Sequence, residues 1–119
     1  MIDTGAGYSA ITEKEAELMN LDCSVLPYFK RDCFGFGGKF KNRVINHPVH
    51  ITFGTSNAQP LQHRINFASG FQVTCVPRNL SPDEREQIVR YTPCVIGMDI
   101  LKQFKLFIHY DKRIVQLDL

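Results

Sequence analysis

A chain of 119 residues with a formal net charge of +2 is sized for one domain and can bury roughly two-thirds of its unfolded surface without staples. Its 44% hydrophobic and 22% charged residues are ordinary for a globular protein, and so small a charge gives no electrostatic case for binding nucleic acid. No apolar run reaches membrane-spanning length, and no basic segment followed by an apolar stretch stands at the start as a secretion signal.

Ile2 is expected to end a strand, and Asp3 to Gly5 to turn. Thr12 and Glu15 have capping-box spacing, which predicts a short helix over about residues 13–19 carrying Ala16, Leu18 and Met19. From Arg31 to Phe40 the chain is basic, glycine-rich and aromatic, and Phe34-Gly35-Phe36-Gly37-Gly38 at its centre reads as a mobile hairpin tip. Val44 to Phe53 alternates as a strand interrupted by Pro48. Ile65 to Val76 holds two strand pieces around Ser69-Gly70. Ser81-Pro82-Asp83-Glu84 has the chemistry of a helix start, read as a short helix or a long loop. Cys94 to Ile96 reads as a buried strand and Asp99 to Phe104 as a short helix. A final hairpin turns at Tyr110-Asp111-Lys112-Arg113. Many short strands with few short helices predict an all-β fold closed into a small structure.

Two stretches carry chemistry. Ile2-Asp3-Thr4-Gly5-Ala6-Gly7-Tyr8-Ser9 puts a carboxylate beside a hydroxyl and a glycine, just after an apolar residue. Near the other end, Cys94-Val95-Ile96-Gly97-Met98-Asp99-Ile100-Leu101 places two branched apolar residues and a glycine before a helix. Hydrolysis of an amide needs one group to take a proton from water and another to protonate the carbonyl oxygen. Two carboxylates about 3 Å apart cannot both ionise, share one proton and do both jobs. Gly5 lets the backbone turn tightly, the Thr4 hydroxyl can brace the turn, and Ala6 leaves room for a substrate backbone. Asp3 alone reads equally as a carboxylate capping its own turn.

Taken together, the two stretches resemble those of the retropepsin-like aspartic proteases. The resemblance implies a small closed β-barrel with one or two short helices, in a single domain spanning residues 1–119. It implies a homodimer with one active site, to which each subunit brings Asp3, Thr4 and Gly5, the threonines bonding across the dimer. Gly35, Phe36, Gly37 and Gly38 then form the tip of a flap that binds peptide or protein substrate together with Ala6. Roughly two strands precede the catalytic turn in that family, whereas only Met1 and Ile2 do so here, so the expectation is a domain lacking its N-terminal strands. Retroviral members often pair an Arg after the helix-opening glycine with an Asp past the catalytic motif; Met98 and Gly7 hold those positions. Asp99 reads as a charge complementing the helix dipole.

The predicted function is therefore aspartic endopeptidase; the alternative is a non-catalytic retropepsin-like module for dimerisation or peptide binding. No metal or organic cofactor is expected, because Cys23, Cys33, Cys75 and Cys94 are widely spaced and no His pair has ligand spacing. The cysteines read as free thiols of a reducing compartment, which points to the cytoplasm. Neither nucleic acid nor membrane is an expected partner. The glycine-rich segment lacks the Gly-Lys-Ser/Thr ending of a phosphate loop, and His47, His50, His63 and His109 have no nucleophile at a serine- or cysteine-protease spacing.

Overall fold

A computed structural model describes residues 1–35, 38–55, 57, 59–65 and 70–118. In chain order the elements are β1 (Ala10–Thr12), α1 (Glu13–Leu18), a 3-10 turn (Cys23–Val25), β2 (Cys33–Gly35), β3 (Gly38–Phe40), β4 (Asn42–Val44), β5 (Val49–Phe53), β6 (Leu61–Ile65), β7 (Gln72–Thr74), α2 (Pro82–Tyr91), α3 (Met98–Leu101), β8 (Lys105–His109) and β9 (Ile114–Asp118).

The strands make a three-stranded sheet ordered β1-β7-β4 and three two-stranded antiparallel pairs, β2–β3, β5–β6 and β8–β9. In the larger sheet β7 runs parallel to β1, with Ile11 beside Val73, and antiparallel to β4, with Val44 beside Gln72. Small β-sheets thus dominate, as the sequence predicts. The closed barrel does not appear among the described residues: strands of three to five residues leave separate pieces rather than one continuous ladder. Nor are the helices limited to one or two, since three α-helices and a 3-10 turn are present. Pro48 divides β4 from β5 because proline cannot donate to a ladder.

Each helix has a local cause. The Thr12 hydroxyl accepts the Glu15 amide at 3.3 Å to start α1. The same helix ends in a Schellman motif. Asn20 takes a left-handed conformation at φ 58°, its amide bonds the Glu17 carbonyl, and the Leu21 amide bonds the Ala16 carbonyl. Ser81 and Glu84 form a complete capping box at α2, with Pro82 beside it, so the segment is a ten-residue helix and not a loop. The last hairpin turns at Tyr110 to Arg113, as read from the sequence.

Ala16, Leu26, Ile45, Phe71, Val73 and Ile100 form the buried core, so α1, the β7 sheet and α3 meet in one cluster. β5 turns Val49, Ile51 and Phe53 toward it and leaves His50 and Thr52 exposed. Phe53 packs edge-on against Phe104, just beyond α3. Inside the sheet, the buried Asn42 amide donates to Gln72 Oε1 at 2.7 Å. Asn42 Oδ1 and Gln72 Nε2 have no partner among the described residues.

Candidate active site

The segment 94–97 threads between the two arms of the N-terminal turn. On one side Ile2 and Ile96 form a parallel bridge, the Ile96 amide donates to the Met1 carbonyl at 2.8 Å, and the Asp3 amide donates to the Ile96 carbonyl at 3.0 Å. Across from it, Ala10 and Val95 exchange both backbone hydrogen bonds, at 2.9 and 2.7 Å. Cys94 to Ile96, expected as a strand, makes its pairings as isolated bridges on both flanks. The residues from Asp3 to Ser9 arch over this segment.

Within the arch, the Gly5 amide donates to Asp3 Oδ1 at 2.8 Å, and the Ala6 amide to the Asp3 carbonyl at 3.3 Å. The carboxylate is therefore oriented by its own turn while remaining half-buried. A methyl group at position 5 would come to 3.2 Å from Asp3 Oδ1, which is tighter than ordinary packing. Thr4 and Gly5 are exposed and Ala6 is half-buried, so Asp3, Thr4, Gly5 and Ala6 stand together on one turn. No hydrogen bond from the Thr4 hydroxyl is made among the described residues; the hydroxyl that braces the arch is that of Ser9.

Ser9 is fully buried. Its hydroxyl donates to Asp99 Oδ1 at 2.6 Å and accepts the Gly97 amide at 2.8 Å. Its backbone amide donates to Asp99 Oδ2 at 3.0 Å. Asp99 Oδ1 also accepts the Ile100 amide at 2.9 Å, so this carboxylate bonds within the first turn of α3 and grips the end of the arch together. Charge-assisted bonds of this kind are roughly twice as strong as neutral ones. Asp99 does sit at the helix start, as the sequence predicts, but its grip on Ser9 was missed. The signal was available: a hydroxyl six residues after Asp3 and a carboxylate two after Gly97, in a chain whose Gly7 and Met98 cannot form an ion pair. Met98 contributes its backbone, donating to the Ala6 carbonyl at 2.8 Å.

Gly97 permits the closest contact of the site. A Cβ there would lie 2.6 Å from the Tyr8 carbonyl oxygen and 2.8 Å from that of Ala6, both backbone atoms. Tyr8 in turn packs edge-on against Phe29, with ring centroids 5.0 Å apart.

Gly35 and Gly38 face each other at the end of the β2–β3 pair, where Cys33 is opposite Phe40 and Phe34 is opposite Lys39. The expected flap tip at Phe36 and Gly37 lies outside the described residues. Gln72 connects hairpin and arch. Its backbone amide donates to the Ser9 carbonyl at 3.2 Å, and its Oε1 receives Asn42 Nδ2 and, at 3.9 Å, Cys33 Sγ. All four cysteines are free. Burial raises the Cys75 thiol to about 11, with Glu13 adding to the effect. Among the described residues, no group of three or more His, Cys, Asp or Glu side chains is arranged to hold a metal ion, and no helix is long and apolar enough to cross a membrane.

With this geometry established, the chain is similar to the crystal structure of a retropepsin-like aspartic protease from Rickettsia conorii, with a TM-score of 0.53 and 20% sequence identity. The alignment covers 98% of this chain and 70% of that one. The likeness is one of fold. A scan against protein-family models gives no match, and a search of curated proteins gives none either.

Proposed function

We propose that this protein is an aspartic endopeptidase that works as a homodimer. The observation that carries the reading is the arch itself: Asp3 stands on a tight turn, oriented by the Gly5 amide, and that turn is held over residues 95–97 by Ser9, Gly97 and Asp99. So much buried fixing of an otherwise exposed turn is what a reacting carboxylate requires, because catalysis depends on groups already in position.

In the proposed dimer, Asp3 of each subunit faces the other across a two-fold axis. The pair shares one proton. The ionised member takes a proton from water, which attacks the scissile carbonyl, while the protonated member donates to the carbonyl oxygen. A second transfer returns the proton to the departing amine, and the bond between carbonyl carbon and nitrogen breaks. Thr4, exposed beside Asp3, bonds to its counterpart across the axis. Gly35, Phe36, Gly37 and Gly38 close over an extended substrate, whose backbone lies past Ala6 in the manner of an added strand.

The test is hydrolysis of an unfolded protein between about pH 3 and 7, where a shared-proton pair operates. The parent protein should cleave, and Asp3→Asn should lower kcat by at least about a hundredfold while sedimentation still reports a dimer. Cleavage retained by Asp3→Asn, or a strict monomer with substrate bound, refutes the reading. Peptide binding without cleavage by the parent identifies a non-catalytic module instead.

A further inference from the structure

A cavity of about 440 Å³ lies apart from the arch: none of its lining residues belongs to positions 2–9 or 94–99. Its walls come from the 3-10 turn, the β2–β3 hairpin, β4 and the segment after β7. Four cations line it, Lys39, Lys41, Arg43 and Arg78, against two carboxylates, Asp32 and Glu13. Both carboxylates are already engaged. Asp32 is 2.8 Å from Lys39, and Glu13 is 3.2 Å from Arg85, which does not line the cavity. Lys41, Arg43 and Arg78 make no salt bridge among the described residues, although Lys41 acts at longer range on Asp32 and Arg43 on Asp22.

Surface cations are usually a solvated, mobile fringe. Arg43 is not. One terminal nitrogen of its guanidinium donates to the carbonyls of Leu26 at 2.6 Å and Ser24 at 3.2 Å, and the other donates to the Tyr28 hydroxyl at 2.9 Å. The guanidinium also lies 4.1 Å from the centroid of the Tyr28 ring. Three of its five N–H donors are thus used in fixing its position. The remaining two belong to a group whose ordering cost has already been met, which favours bidentate capture of a carboxylate. Tyr28 and Phe40 supply apolar wall beside it. A cavity of this volume suits one or two side chains, not a nucleic-acid backbone, for which the net charge of +2 also gives no support.

We propose that this cavity is a docking site for the carboxylate side chains of an acidic peptide, recognising substrate away from the Asp3 turn. The inference rests on the endopeptidase reading in one respect: Lys39 and Phe40 belong to the hairpin which that reading lays over substrate, so one element would contact the chain at both places. Arg43 and Tyr28 hold the first carboxylate; Lys41 and Arg78 attract the next by charge.

The test is kept independent of hydrolysis by using Asp3→Asn protein. A short fluorescent peptide with alternating glutamates and its glutamine twin are titrated by anisotropy. The glutamate peptide should bind at least tenfold tighter, with the preference shrinking as salt rises. The exposed double variant Lys41→Glu/Arg78→Glu should abolish the preference, and Lys41→Gln/Arg78→Gln should reduce it, with circular dichroism showing the fold retained in both. Equal binding of the two peptides overturns the proposal, as does a preference that survives charge reversal or an oligonucleotide of equal charge that outcompetes the peptide. No preference in the Asp3→Asn protein, beside Asp3-dependent cleavage by the parent, removes the docking site alone. Preference without any cleavage removes the protease reading alone.

Discussion

Replacing Gly97 with alanine would drive a methyl carbon into the Tyr8 and Ala6 carbonyls, neither of which belongs to a side chain able to swing away. The arch must lift or the segment beneath it must sink. Such overpacking against fixed backbone costs about 3 kcal/mol or more. Ser9→Ala acts at the same place by subtraction. It removes the bond to the Asp99 carboxylate and leaves the Gly97 amide without its acceptor, a loss of about 2–3 kcal/mol. Ser9→Thr keeps the hydroxyl and should recover part of that loss. Chemical denaturation of the three variants checks the order, Gly97→Ala and Ser9→Ala well below Ser9→Thr. A melt in which Ser9→Ala matches the parent would show that the clamp contributes nothing to holding the arch.

Among the elements, α2 is the one held least by packing. None of its ten residues is buried, and among the described residues the Arg85–Glu13 ion pair ties it to the remainder. Helices this short are marginal on their own, so its capping box matters more than usual. Ser81→Ala should cost about 1 kcal/mol of local stability, read as faster hydrogen exchange at the Arg85 amide with little change in β7. Acid should act similarly. The Ser81 backbone and side chain hold the Glu84 carboxyl below its ordinary value of 4.5. A carboxyl depressed on folding stabilises the folded state above its unfolded value and ceases to do so as pH falls through the folded one. The α2 amides should therefore lose protection below about pH 4.5, and Glu84→Gln should flatten that dependence.

Elements of this kind were legible where a local rule suffices. The Thr12 cap, the turn at Tyr110 to Arg113 and the helix after Gly97 each follow from a few adjacent residues. The existence of α2 was less clear because a helix exposed all round shows no apolar stripe to read. Asn20 as the left-handed end of α1 escaped notice because glycine, not asparagine, is the usual marker there. What the sequence could not convey were pairings between distant parts. β1 lies parallel to β7, and the buried Gln72 side chain meets Asn42 and Cys33. Each is made by tertiary packing, to which no spacing within a short window is sensitive. The predicted closed barrel is not found among the described residues for the same reason: strand lengths were readable, but the partner of each strand edge was not.

At the scale of the whole molecule, the site joins segments far apart in the chain. Residues 1–3 and 10 flank residues 94–97, and the Met1 amino group donates to the Cys94 carbonyl at 2.7 Å. Closing contacts over so long a separation is entropically costly and tends to come late in folding. In pulse-labelled refolding, the Asp3, Ala10, Val95 and Ile96 amides should gain protection after those of the β5–β6 and β8–β9 pairs, whose partners are close in sequence. Early protection at Asp3 and Ala10 would contradict that order. The threading also bears on biosynthesis. Synthesis proceeds from the amino end, so the Asp3 loop leaves the ribosome without a floor and remains floorless until residues 94–97 have followed it. A nascent chain halted in α2 carries the acid but not the support beneath it. The proposed cutting power would thereby be withheld from a nascent chain until residues 94–97 have joined the Asp3 turn.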